Sequence, residues 1–182
     1  MAPRNRPDTW GRTSLLLHWL TALLILLLAG LGLWMTELAP SLFKLKVYAL
    51  HKSLGLTVLG LSVLRLAWLV VGGRPAALPG PRWQRALATV SHAGLYGLLL
   101  LVPLSGWWYN STAGFPLRWF GVGPLPALGA ADALLRPLAR DRHAWLFYAL
   151  AALVLLHVAA ALWHHLHRRD ASLARMLGRT PR

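Results

Sequence analysis

Cysteine is absent from this chain of 182 residues, and carboxylates are scarce, with five Asp and Glu against 19 Lys and Arg. The lack of cysteine excludes disulfides, thiolate-bound iron–sulphur clusters and covalent attachment of c-type haem within the chain. Only 13% of the residues are charged, whereas a soluble domain carries about 25%. Because 57% are hydrophobic and the mean hydropathy is +0.51, we expect one domain over residues 1–182 whose surface faces lipid.

The net charge of +14 could indicate binding to nucleic acid. The arginines, however, cluster between long apolar runs and at the chain ends. Basic residues take these positions beside membrane helices, where they meet anionic head groups. We therefore expect membrane lipid, and no nucleic acid, as the partner of this charge.

Four apolar stretches are long enough to cross the hydrocarbon core, which requires about 20 residues in a helix. They run from about 14 to 35, 47 to 71, 87 to 108 and 143 to 165. Backbone polar groups cannot stay unpaired in lipid, so each stretch should be helical. The sequence thus predicts an all-α, integral membrane four-helix bundle.

The distribution of Lys and Arg predicts the orientation of the bundle. One side collects Arg4, Arg6, Arg12, Arg74, Arg82, Arg85, Arg168, Arg169, Arg175, Arg179 and Arg182. The opposite side collects Lys44, Lys46, Arg118, Arg136, Arg140 and Arg142. We expect a multi-pass protein of the bacterial inner membrane with both termini cytoplasmic. The basic outer side could concentrate small anions or simply contact phospholipid, and the sequence leaves both open.

The gap between the third and fourth stretches, about 109 to 142, is the longest and is rich in Gly and Pro. A gap of this length favours a cap or a surface element over a simple turn. The segment from Leu125 to Leu138 could form a short interfacial helix, which is an expectation for the structure to test.

Seven of the eight histidines lie within or at the ends of the apolar stretches, where an ionisable side chain is costly and functional by default. His143 and His157 are two heptads apart, so on shallowly crossing helices they face the same neighbours, about 21 Å apart along the axis. Antiparallel stretches place His51 level with His143, and His18 closer in depth to His157. We expect two b-type haems, one clamped by each pair. Two imidazoles fill both axial positions of the iron and favour electron transfer.

Arg65 follows His51 by two heptads and should therefore lie near the inner haem. Its charge could be offset by haem propionates, or its side chain could extend to the membrane surface. Lys52 lies beside His51. Its charge could likewise be offset by propionates of the outer haem, or its side chain could extend to the membrane surface.

The sequence leaves the roles of the remaining histidines open. His92 could replace His18 as a ligand or bond a propionate. His164, one heptad after His157, could border the inner haem or a quinone head group, or lie at the interface as His165 and His167 should.

Taken in order, these motifs resemble the bacterial cytochrome b561 family, which is related to the cytochrome b subunits of nickel–iron hydrogenases. The matching features are HW early in the first stretch, HKSLG with an Arg two heptads later, SHAGLYG in the third stretch, and the two-heptad His pair followed by HH. The resemblance covers nearly the whole chain. It implies a four-helix bundle with two b haems, whose ligands map onto His18, His51, His143 and His157.

At least one branch of that family resembles this chain in length and takes electrons from superoxide to reduce ubiquinone. The resemblance therefore implies a superoxide:ubiquinone oxidoreductase, and a basic outer face suits an anionic substrate. Two alternatives remain: a haem-bearing membrane anchor that relays electrons for a soluble dehydrogenase or hydrogenase partner, and a haem-free bundle such as a transporter.

Overall fold

The computed structural model describes residues 4–76 and 78–179. Four long helices dominate it: α1 (Arg12–Glu37), α2 (Leu42–Val71), α3 (Arg82–Thr112) and α4 (Leu135–Trp163). Each predicted stretch lies within one helix, except that the fourth runs on into a π-helical turn over His164–Arg168. Arg182, which we counted among the inner basic residues, lies outside the described part of the chain.

The predicted fold class is confirmed, because all four helices are long and apolar enough to cross a membrane. Their outward faces carry large apolar side chains, such as Leu23, Val70 and Leu155, which are 65%, 85% and 71% exposed. So much exposed apolar surface would be unfavourable in water but suits contact with acyl chains. Along this bundle we call the end where α2 begins the outer end, following the predicted orientation.

The interior of the bundle is organised in three layers that lie one heptad apart on every helix, or about 10 Å along the axis. The outer layer holds Gly32, His51, Gly106 and His143; the central layer holds Ile25, Val58, Leu99 and Leu150; the inner layer holds His18, Arg65, His92 and His157. The central residues pack into one apolar cluster, in which Val58, Leu99 and Leu150 are buried. This cluster separates the two groups of histidines.

The segment between α3 and α4 follows the outer end of α3 and folds as a β-hairpin of β1 (Leu117–Trp119) and β2 (Val122–Leu125), which packs against α2. The short helix expected from Leu125 to Leu138 is therefore wrong in its first part. Pro124 and Pro126 keep the backbone extended, and α4 begins only at Leu135. Asp132 fixes that start, because its carboxylate accepts hydrogen bonds from the backbone N–H groups of Leu134 and Leu135.

The inner end is tied together by three segments that are far apart in the sequence. The backbone N–H of Ala76 donates to the carbonyl of Pro7 at 2.8 Å, and Arg175 donates to the carbonyl of Ala76 at 2.8 Å. The indole of Trp19 donates to the carbonyl of Met176, in the short helix α5 (Ser172–Met176), at 2.8 Å. These bonds hold the N-terminal arm, the α2–α3 loop and α5 against one another.

Candidate functional site

The outer layer brings together His51 from α2 and His143 from α4, as the sequence predicts. Their ring centres are 6.4 Å apart, and the ring planes are nearly perpendicular, at 89°. We call this pair the outer site. Both rings are largely enclosed by the bundle, so the pair faces the interior and not lipid.

Two glycines let the backbone approach the rings of the outer site. A Cβ atom added to Gly32 would lie 3.1 Å from Cε1 of His51, and one added to Gly106 would lie 3.0 Å from Cε1 of His143. Sequence reasoning missed both residues. The signal was present, since Gly32 and Gly106 follow His18 and His92 by two heptads each.

The hydrogen bonds of His143 fix which of its nitrogens is free. Its Nδ1 lies 3.0 Å from the carbonyl oxygen of Val102 and 3.0 Å from Oγ of Ser105, whose hydroxyl itself donates to that carbonyl. A carbonyl only accepts, so Nδ1 carries the proton and Nε2 keeps its lone pair. A second group that orients the ring in this way is typical of histidines that bind metal.

His51 supplies a second sign of a binding site. Its Nδ1 atom is buried and has no hydrogen-bond partner among the described residues. A buried polar atom without a partner costs about 1–3 kcal/mol unless a bound group uses the ring. Lys52, the next residue in the chain, donates to the side-chain oxygen of Asn110 at 3.1 Å.

The inner layer brings together His18 from α1 and His157 from α4, again as predicted. Their ring centres are 6.5 Å apart and their planes are inclined at 56°. Arg65 lies at the same level, with its guanidinium nitrogen Nη2 3.2 Å from Nδ1 of His18. His92 lies closer still to His157, with 5.4 Å between the ring centres. We call these four residues the inner site.

The distance between ring centres shows which pairs of histidines could hold a metal between them. A metal bound by two opposed imidazole nitrogens, each at about 2 Å, places the ring centres roughly 6 Å apart. The separations of 6.4 and 6.5 Å suit this arrangement, whereas the 5.4 Å between His92 and His157 is short for it. No group of three or more His, Asp or Glu among the described residues could hold a bare metal ion. The paired imidazoles therefore fit haem, which needs only two axial ligands from the protein. The free Nε2 of His143 and the unpartnered Nδ1 of His51 agree with this.

The histidines beyond α4 have a different contact or are exposed. His164 contacts the carboxylate of Asp170 through Nδ1, and His165 and His167 are exposed. The zinc site that these three histidines could suggest finds no support in the described residues.

Comparison with known proteins identifies the family of this chain. The family model described as prokaryotic cytochrome b561 matches residues 9–179. Cytochrome b561 homolog 2 of Escherichia coli (strain K12) is 33% identical over 182 residues, which cover 99% of this chain and 97% of the relative. Cytochrome b561 homolog 1 of the same organism is 26% identical over 179 residues, which cover 94% of this chain and 98% of the relative. The chain therefore belongs to the prokaryotic cytochrome b561 family, and it is a bacterial membrane protein that transfers electrons with b-type haem.

Proposed function

We propose that this protein binds two b haems, one held by His51 and His143 and the other by His18 and His157, and that it transfers electrons from superoxide to ubiquinone. The observation that carries the first part is the pair of matched ring separations, 6.4 and 6.5 Å, on two interior levels. A haem held by such a pair would supply a one-electron carrier. The protein contributes the ligands, the apolar cluster between the sites and the neighbouring charges.

Arg65 is the residue that we propose for the propionates of the inner haem. A guanidinium only donates, so in this structure Nδ1 of His18 accepts and the ring proton lies on Nε2. If His18 held the haem through Nε2, its ring proton would lie on Nδ1, which could not accept from Arg65. The ring of Tyr96 lies 5.3 Å from the guanidinium carbon of Arg65 but carries no negative charge. A carboxylate of the haem would supply that charge, which a buried cation needs.

We place the outer site on the periplasmic side of the inner membrane, with both termini in the cytoplasm, because the larger set of arginines is at the inner end. Basic residues also surround the outer end, and they would attract an anion such as superoxide. Each superoxide gives one electron and leaves as dioxygen. Two electrons and two protons convert ubiquinone to ubiquinol, so two superoxide ions are consumed for each quinone.

The haem assignment is tested by spectra of the purified protein and of four variants, His18→Ala, His51→Ala, His143→Ala and His157→Ala. We expect a b-type reduced-minus-oxidised spectrum with two haems per chain, and about one haem in each variant. His165→Ala is the matched control, since that ring is exposed and joins neither site. Full haem content in His51→Ala or His143→Ala would contradict the outer site.

The electron donor and acceptor are tested by the consumption of superoxide in proteoliposomes with and without ubiquinone. We expect rapid consumption only when ubiquinone is present, together with ubiquinol formation at half the molar rate. A rate that does not depend on quinone would overturn this part of the proposal. If superoxide is not consumed and the protein instead copurifies with an iron–sulphur protein from gently solubilised membranes, it serves as an anchor and relay subunit.

A further inference from the structure

The turn of the β-hairpin exposes a continuous apolar surface. Trp119, Phe120 and Val122 are 47%, 54% and 64% exposed, and they surround Gly121 at the tip. Adjacent exposed aromatics of this kind mark a surface that contacts something apolar.

The hairpin lies beside α2 and not above it. Oγ of Ser53 accepts from the backbone N–H of Phe120 at 3.0 Å, and the indole of Trp119 donates to Oγ1 of Thr57 at 3.0 Å. Ser53 is only 3% exposed, since the hairpin covers it. These contacts fix the height of the turn along α2.

The membrane span expected over residues 47–71 places this height within the membrane. Ser53 and Thr57 follow Lys46, a basic residue near the outer start of α2, by seven and eleven residues. At a rise of about 1.5 Å per residue, Thr57 lies roughly 16 Å below Lys46 along the axis, deeper than His51. The turn is therefore level with the outer part of the hydrocarbon region.

The backbone angles of the turn are a further sign that its tip lies in apolar surroundings. Phe120 and Gly121 both have positive φ angles, 47° and 80°, as a two-residue turn of type I′ requires. The first position of such a turn favours Asn, Asp or Gly, and a bulky residue there is uncommon. An aromatic ring placed at this position and left exposed would be unfavourable in water, whereas lipid accounts for it.

We infer that the hairpin is a re-entrant element whose tip is inserted among phospholipid acyl chains of the outer-end leaflet, against α2. Lipid offers no hydrogen bonds to a backbone; here the pairing of the two strands and the hydroxyl of Ser53 satisfy the part of the turn that faces α2, including the N–H of Phe120. Arg118, exposed on β1, has a side chain long enough to extend toward the head groups. This inference does not depend on the proposed electron donor or acceptor.

Because the chain has no cysteine, a single nitroxide label can be placed at any position without removing native thiols. The test compares Val122→Cys with two references, Leu23→Cys on the lipid-facing side of α1 and Ala133→Cys in the exposed segment before α4. Each labelled full-length protein is reconstituted into vesicles of phosphatidylcholine and phosphatidylglycerol without other proteins. The collision rates of the label with dissolved oxygen and with a water-soluble nickel complex are then measured.

We expect the label at position 122 to behave like that at position 23, with an oxygen-to-nickel ratio several-fold above that at position 133. A ratio equal to that at position 133 would overturn the inference. So would protection from the nickel complex in native membranes but not in the pure vesicles, because a protein partner would then cover the tip. Val122 is 64% exposed, so the substitution should not disturb folding, and an unchanged haem spectrum checks this.

Discussion

At the scale of single residues, the neighbours of each histidine decide what its ring can do. His143 donates from Nδ1 to the carbonyl of Val102, which leaves Nε2 ready to bind a metal. His18 meets the guanidinium of Arg65 at its Nδ1, which places the ring proton on the other nitrogen. The two rings are chemically identical in the sequence, and only their contacts distinguish a ring whose Nε2 is free from one whose Nδ1 accepts from an arginine.

Gly106 allows a direct test of the outer site. In Gly106→Ala the new methyl group would lie 3.0 Å from Cε1 of His143, so the ring must move, and we expect reduced haem content at the outer site. Gly60→Ala is the control, because a Cβ there meets nothing within 4 Å and alanine is favoured over glycine in soluble helices by about 1 kcal/mol. Haem-to-protein ratios measure both. Equal ratios in the two variants would show that the close approach to His143 does not matter.

Arg65 can be tested through the reduction potential of the inner haem. A nearby cation favours the reduced, less positive iron, so Arg65→Gln should lower that potential, by on the order of 50 mV for a tenfold change in the equilibrium. Arg65→Lys keeps the charge and should retain most of the native value. Redox titration of both variants is the measurement. Identical potentials in the two variants would argue that the charge of Arg65 lies too far from the haem to act on it.

At the scale of elements, the heptad is the unit that aligns the helices. Seven residues separate successive layers on α1, α2, α3 and α4 alike, so side chains from four helices meet at three shared heights. A repeat of seven keeps one face of each helix toward its neighbours when the helices cross at a shallow angle. The same register that pairs the histidines therefore also places an apolar layer between the pairs.

The attachment of α5 should depend on the charge of Asp170. Partial burial raises the pKa of this carboxyl, but hydrogen bonds from Ser172 and His164 lower it by more, so its net pKa lies below the ordinary 3.8. A group with a lowered pKa stabilises the folded arrangement above its unfolded pKa and loses that effect as the pH falls through its folded value. Stabilisation by Asp170 is thus complete near neutral pH.

We therefore expect Asp170→Asn to speed amide hydrogen exchange in residues 171–177 at neutral pH. After correction for the intrinsic exchange rate, the native protein should show comparable exchange only below about pH 4. Asp8→Asn is the matched control, since it removes one negative charge from the same end of the bundle and Asp8 is exposed. Exchange that is equally fast in Asp8→Asn would mean that net charge, and not the bonds of Asp170, holds α5.

At the scale of the whole molecule, the excess of positive charge should act on anions that approach the outer end. The net charge is +14, and the screening length falls from about 30 Å at 0.01 M salt to about 8 Å at 0.15 M. We expect the rate of superoxide consumption to fall over this range, while the rate with an uncharged electron donor stays constant. Stopped-flow measurements at several salt concentrations would show this. A flat dependence for superoxide would mean that the basic residues serve lipid contact alone.

Sequence reasoning reached the fold and the histidine pairs because both depend on periodicity. Apolar runs of about 20 residues must be helices in lipid, and a spacing of 14 residues must return a side chain to the same face. It did not find Gly32 and Gly106, although they share that register, because a glycine in an apolar helix has several possible roles until the ring beside it is known. The hairpin was also missed, since its pairing depends on contacts with Ser53 and Thr57, far away in the chain.

By itself, the sequence determined that this chain forms four membrane helices. It also determined that His51 and His143, and likewise His18 and His157, come to matching depths. The reason is that the period of a helix converts spacing along the chain into position on a face. Only the tertiary structure decided which ring nitrogens are engaged, which backbones touch the rings and where the hairpin lies. Those features depend on side chains from different helices meeting in space, and no local pattern in the chain encodes such a meeting.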